Sequence, residues 1–179
     1  MKPAEILAEF DRFLAERRLK LSSVAIGGAA LNLLGVISRP TTDCDILHPT
    51  LPREIVEAAR AFAAATRKRG EQLQDDWLNN GPASLAAHLP AGWQARVQPL
   101  FAGSALTLTA LGRIDFLRAK LWALCVRGLD LPDCLALAPT ADELAIIQPW
   151  LEEQDANPEW PAHVRDTLAD VARRLGHGV

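Results

Sequence analysis

Two glycines between an apolar run and a helix-forming run, with a pair of carboxylates on the next apolar segment, constrain this chain more than any other feature. Val24-Ala25-Ile26 reads as a strand that stops at Gly27-Gly28, and Ala29 to Leu34 then reads as a short helix. Downstream, Arg39-Pro40-Thr41-Thr42 leads into a second strand, Asp43-Cys44-Asp45-Ile46-Leu47. Alternate side chains of a strand share a face, so Asp43 and Asp45 are expected to project together while Cys44 and Ile46 point the other way. Like charges held that close are costly unless a cation lies between them, and magnesium favours carboxylates combined with substrate phosphates and water. Gly27 and Gly28 carry no side chain to keep a triphosphate from the backbone amides of the helix start. Together the two patterns predict a metal-assisted site for a nucleoside triphosphate.

The rest of the chain supplies a frame for that site. Residues 4–18 place Ile6, Leu7, Phe10, Phe13 and Leu14 on one helical face. Residues 21–26 form the first strand, and Gly35 suits the end of the short helix because glycine accepts a left-handed backbone. Pro40 restrains Arg39 to an extended conformation. Pro52 opens a helix over 52–68 whose buried stripe is Ile55, Ala59, Phe62 and Ala63. Residues 75–82, Asp-Asp-Trp-Leu-Asn-Asn-Gly-Pro, read as a loop in which Trp77 and Asn79 border the cleft or anchor the loop to the core. One helical turn is expected over 85–89, then strands over 95–101 and 105–111 divided by Gly103. From Arg113 onward the pattern is helical, over 113–126, 131–137 and 140–153, with a last helix running to Gly176. Thr140 and Glu143 have the spacing of a capping box. Asp115 reads as a first-turn acid that favours the helix dipole.

This pattern predicts an α/β (α+β) fold: a small mixed β-sheet core with flanking helices over residues 1–111, and a C-terminal helical lobe over 112–179 packed on it. A length of 179 residues suits one compact unit or a core with such an extension. The net charge of −3 argues against a surface that coats nucleic acid, and the basic clusters at Arg17-Arg18-Lys20 and Arg67-Lys68-Arg69 read as solvated helix ends. No apolar run approaches the ~20 residues that cross a bilayer. Cys44, Cys125 and Cys134 have no metal-ligand spacing, and Cys44 is expected to face the core; reduced thiols and a cytoplasmic location are the simplest reading. The four histidines show no ligand spacing.

A strand, Gly-Gly, a helix and Asp-x-Asp on the next strand resembles the signature of the nucleotidyltransferase superfamily, the DNA polymerase β-like fold. The fuller pattern Gly27-Gly28-x-Ala30-Leu31, Gly35 and Arg39-x-Thr41-x-Asp43-x-Asp45 is similar to a bacterial branch related to AbiEii-type toxins of abortive-infection systems. Asp76-Trp77-Leu78-Asn79, Lys120-Leu121-x-Ala123-x-x-x-Arg127, Asp130-x-x-Asp133, Ala138-Pro139-Thr140 and Asp155-Ala156-Asn157-Pro158 extend the likeness over nearly the whole chain. Two features depart from the superfamily. Fourteen residues separate Gly28 from Asp43, slightly more than usual. Neither segment 95–101 nor 105–111 carries the acidic residue that many nucleotidyltransferases place on a later strand.

The resemblance implies nucleotidyl transfer from a nucleoside triphosphate, with Mg2+ or Mn2+ on Asp43 and Asp45. It implies catalytic roles for Asp43, Asp45, Lys120 and Asp133, with Asp130 as the rival of Asp133. Nucleotide binding falls to Gly27, Gly28, Arg39, Thr41 and Arg127, with contact to a second substrate or bracing of the loop as the alternatives for Arg39 and Thr41. Lys120 and Arg127 lie seven residues apart, hence on one helix face, where cations offset triphosphate charge or pair structurally with Asp130 and Asp133. The acceptor stays open among RNA, a protein side chain and a small molecule. The alternative is a catalytically degenerate nucleotide-binding module that acts through a protein partner, as in a toxin–antitoxin pair. A metal-dependent phosphohydrolase is weaker, because its usual histidine–aspartate clusters are absent.

Overall fold

A computed structural model describes residues 2–41 and 43–177. Its elements, in chain order, are α1 (Pro3–Glu16), β1 (Leu21–Ile26), α2 (Gly27–Leu33), β2 (Cys44–His48), α3 (Arg53–Lys68), β3 (Leu78–Asn79), β4 (Gln98–Ala102) and β5 (Leu106–Ala110). Four helices follow: α4 (Arg113–Arg127), α5 (Leu131–Leu137), α6 (Ala141–Glu152) and α7 (Trp160–Arg174). This is the expected mixed α/β architecture. The chain divides into two compact units, residues 1–87 with 91–111, and residues 88–90 with 112–179. No helix among the described residues is long and apolar enough to cross a membrane.

The first unit holds one five-stranded sheet in the order β3-β2-β1-β5-β4. β1 pairs antiparallel with β2 and parallel with β5, β4 pairs antiparallel with β5, and β3 runs parallel to β2. The central position of β1 follows from its composition: Val24, Ala25 and Ile26 are all buried, as a strand flanked on both sides requires. One core joins α1 and α3 to the sheet through Ile6, Leu7, Phe10, Ile55, Phe62 and Ile46. At its centre Phe10 meets Phe62 at 5.3 Å and Trp77 edge-on at 5.0 Å between ring centroids. Burying each such ring is worth ~2–3 kcal/mol by transfer. Trp77, 1% exposed, also donates its indole N–H to the Ala59 carbonyl of α3 at 3.2 Å, so it anchors its segment to the core.

Two local expectations are corrected. Residues 75–82 are not all loop, because Leu78–Asn79 pairs with β2, with Cys44 opposite Leu78 and Asp45 opposite Asn79. Turn-rich composition hid a strand that is defined by its partner rather than by its own propensity. Residues 95–101 are not one strand: a 3-10 turn covers Trp93–Arg96 and β4 starts only at Gln98.

A carboxylate fastens α1 to the far side of this sheet. Asp11 accepts from the backbone N–H groups of Ser104 at 3.1 Å, Ala105 at 2.8 Å and Leu106 at 2.7 Å, and from the Ser104 hydroxyl at 3.1 Å. Burial pushes this carboxyl up, but the four hydrogen bonds outweigh it and hold Asp11 below its ordinary range. The carboxylate sits so close to the β4–β5 turn that a methyl group on Gly103 would overlap it.

In the second unit Thr140 and Glu143 form the expected capping box at α6: Glu143 N–H donates to Thr140 Oγ1 at 3.1 Å and Thr140 N–H to Glu143 Oε2 at 2.9 Å. Glu143 also takes Arg113 Nε at 2.6 Å, which ties the start of α4 to the start of α6. Asp115 lies in the first turn of α4 but is 1% exposed and accepts from Arg118 Nη1 at 2.8 Å, so it serves as a buried ion-pair partner.

Candidate functional site

The site begins where β1 stops. Gly27 has φ +76°, a left-handed conformation that costs glycine nothing and a residue with a Cβ ~1–2 kcal/mol. That turn sends the chain from β1 into α2. Next to it on β2, register places Asp45 opposite Ile26, the residue before Gly27. Asp45 Oδ2 occupies the space in which a Gly27 side chain would begin. The glycine is therefore required twice, for its backbone angle and for the carboxylate that rests on it.

Gly28 stands beside the connector that precedes β2. A Cβ there would meet Thr41 Oγ1 at 3.5 Å and Arg39 Nη2 at 3.9 Å. Asn32 of α2 donates its amide to the Arg39 carbonyl at 3.1 Å and so fixes the connector against the helix. Gly27, Gly28, Arg39, Thr41 and Asp45 thus come together around one turn. Asp43 lies just before β2 and is exposed, while Asp45 is half-buried. Cys44 and Ile46 enter the core, as the alternation requires. Asp43 and Thr41 line a small hollow with Pro3, Ile6, Leu7, Ala29, Cys44 and Trp77. Thr42 falls outside the described residues.

Burial, with Asp45 adjacent, pushes the Cys44 thiol up to about 12. The thiol is therefore neutral at physiological pH and no nucleophile.

Asp45 is held from the edge of the sheet. Asn79 Nδ2 donates to Asp45 Oδ1 at 3.2 Å across the β2–β3 pairing. Asn80 supports that edge: its Nδ2 donates to Ile46 O at 2.9 Å and Pro49 O at 3.2 Å, while its Oδ1 accepts Leu51 N–H at 2.7 Å. Sequence reasoning placed Asn79 near the cleft without seeing its partner. The Asn79-Asn80-Gly81 run signals local bonds such as Gly81 N–H to Asn79 Oδ1, but nothing local signals Asp45 as a partner.

Lys120, Arg127, Asp130 and Asp133 come together within the second unit. Lys120 Nζ donates to Asp133 Oδ2 at 2.7 Å and Asp130 Oδ1 at 2.9 Å, and Arg127 Nη2 donates to Asp130 Oδ2 at 2.7 Å. The Lys120 side chain is 11% exposed and that of Asp133 4%. Burial alone would lower the Lys120 ammonium, but its bonds to Asp133 and Asp130 hold it above its usual value. Burial pushes Asp130 up, and its bonds to Lys120 and Arg127 bring it below the usual carboxylate range. Two cations face two anions here. The quartet joins α4 to α5, and two of the three Lys120 ammonium hydrogens are taken by these carboxylates.

For a metal, the candidate donors in the first unit are the carboxylates of Asp43 and Asp45. They are hard oxygen ligands of the kind magnesium and manganese take, and they leave most of an octahedral shell to phosphate and water. No group of three or more His, Cys, Asp or Glu side chains among the described residues is placed to hold an ion without a substrate. Neither β3, β4 nor β5 carries an acidic residue. The donor set fits an ion delivered with a polyphosphate.

Comparison with curated proteins and with solved structures gives no match. A family model described as a nucleotidyltransferase of unknown function (DUF6036) matches residues 4–133, which takes in every residue of the Gly27–Asp45 site and reaches Asp133.

Proposed function

The chain belongs to this family of nucleotidyltransferases, and on that premise we propose that it moves a nucleotidyl group from a nucleoside triphosphate to an acceptor at the Gly27–Asp45 turn. The observation that carries the reading is the close packing of Asp45 on Gly27. It puts a carboxylate beside bare backbone, where a polyphosphate and an acid can share a cation. In this reading Gly27 and Gly28 let the triphosphate approach the main chain, and Arg39 and Thr41 contact its oxygens. Asp43 and Asp45 hold Mg2+ or Mn2+; a bound ion of this kind neutralises phosphate charge and acidifies an acceptor hydroxyl. Lys120 and Arg127 are proposed to add positive charge, and Asp133, or Asp130, to set the position of Lys120. The relation to AbiEii-type toxins, with RNA or a protein as acceptor, belongs to the same proposal.

The experiment is transfer from labelled nucleoside triphosphates to total RNA, protein and small metabolites, with Mg2+ or Mn2+, for the wild type, Asp43→Ala and Asp45→Asn. Transfer by the wild type that both variants lose supports the reading. No transfer to any acceptor by the wild type overturns it. One observation favours a second reading, a nucleotide-binding module that works through a protein partner: neither β4 nor β5 carries the further acid that many nucleotidyltransferases place on a later strand. Nucleotide binding without transfer, together with a stably co-purifying protein, selects that alternative.

A further inference from the structure

We propose that Asn79 is the positioning residue of Asp45, setting which carboxylate oxygen faces a metal–polyphosphate; the inference rests on the site reading above. Three bonds take both donors of the Asn79 amide and one acceptor site of its oxygen. Its Oδ1 accepts the Gly81 N–H at 2.7 Å, which fixes the orientation of the group. Its Nδ2 then has two hydrogens, and two acceptors stand in reach: Asp45 Oδ1 at 3.2 Å and the Asp76 carbonyl at 3.3 Å. The amide has no donor left for a substrate, so its action on the site runs through Asp45.

The two carboxylate oxygens of Asp45 have different surroundings. Oδ1 is turned to the sheet edge by Asn79, and Oδ2 lies over Gly27. A neutral donor suits this position better than a second acid. It orients Asp45 without placing a second negative charge beside it. Gly81 is part of the device, because a Cβ there would stand 2.9 Å from Asn79 Oδ1 and push on the acceptor that orients the amide. Asn80, next in the chain, provides an internal comparison. It also makes three bonds across the same edge, but all go to backbone groups.

The test measures binding of inorganic triphosphate to the full chain, with Mn2+ and with EDTA, by calorimetry, in the wild type, Asp45→Asn, Asn79→Ala and Asn80→Ala. Urea unfolding of each variant is recorded alongside. Inorganic triphosphate removes any dependence on the base. The Mn2+-dependent part of the affinity is expected to vanish in Asp45→Asn and to fall about 10–100-fold in Asn79→Ala, the range for loss of a group that orients a metal ligand. Asn80→Ala is expected to lose stability and keep that affinity within about twofold of the wild type, well short of the loss of an orienting group. If Asn79→Ala binds like the wild type, or if Asn80→Ala weakens binding as much as Asn79→Ala, then Asn79 only anchors the strand and the inference falls. Absence of any Mn2+-dependent binding by the wild type overturns the site reading itself, and this inference with it.

Discussion

Gly27→Ala is the sharpest perturbation of the site, because its cost divides into two parts that can be measured separately. The first is backbone strain: φ +76° costs an alanine ~1–2 kcal/mol wherever it occurs. The second is the overlap of the new methyl with Asp45 Oδ2, with Asp45 Cγ 3.3 Å and Asp45 Cβ 3.5 Å away. The carboxylate must swing off the glycine, and doing so breaks its bond to Asn79, a charge-assisted bond worth ~1.5–3 kcal/mol. The sum for Gly27→Ala is about 2.5–5 kcal/mol. In an Asp45→Ala background the overlap is gone, and only the strain of about 1–2 kcal/mol remains. The two changes are therefore expected to be coupled by about 2 kcal/mol. Native-state hydrogen exchange over residues 21–48, followed against urea, reads the stability of this unit rather than of the whole chain. Gly27→Ala should also weaken Mn2+-dependent triphosphate binding, since the new methyl displaces the proposed metal ligand Asp45. A Gly27→Ala cost that is the same in both backgrounds, within ~0.5 kcal/mol, refutes the claim that Asp45 is what forbids a side chain at this position.

Three further outcomes follow from the geometry. Asp11→Asn replaces an acceptor of four hydrogen bonds by a group with one accepting oxygen, and should cost about 2 kcal/mol in urea unfolding. Because the folded Asp11 pKa lies below the unfolded value of ~3.9, its stabilisation is complete well above that value and is lost as pH falls through the folded pKa; the difference between wild type and variant should shrink in acid, and a constant difference down to about pH 2 would count against it. Lys120→Met leaves the buried Asp133 without its ammonium and should destabilise the second unit by about 3–5 kcal/mol, most of it recovered when Asp133→Leu is added; a loss below ~1 kcal/mol would show that the quartet does not hold α4 to α5. Cys44, with its thiol pushed up to about 12 inside the core, should resist iodoacetamide at pH 8 in the native protein and react after unfolding in urea, as followed by mass spectrometry; native-state labelling at the unfolded rate would contradict its burial.

What the sequence determined by itself is local. Gly27-Gly28 between an apolar run and a helix-forming run reads as a strand-to-helix turn, and the left-handed backbone at Gly27 agrees with it. Cys44 and Ile46 had to enter the core together, because side chains alternate along a strand. Thr140 and Glu143 wrote the start of α6 three residues apart. The resemblance to nucleotidyltransferases starts from Gly27-Gly28 and Asp43-x-Asp45, close in sequence, and the family match covers its residues as far as Asp133.

What only the tertiary structure decided involves partners far apart in the chain. Asn79 meets Asp45 across 34 positions, and Asp11 meets the β4–β5 turn across more than 90. No local pattern marks either acid as bound, because a carboxylate has the same sequence signature in water as under a row of N–H donors. β3 was hidden for the same reason: two residues of turn-like composition become a strand when β2 offers them its edge. Lys120 and Arg127 were legible as one helix face, but their charge balance with Asp130 and Asp133 is a fact of packing. Spacing predicts which groups share a face; burial and long-range hydrogen bonds decide which of them are held, and in which direction.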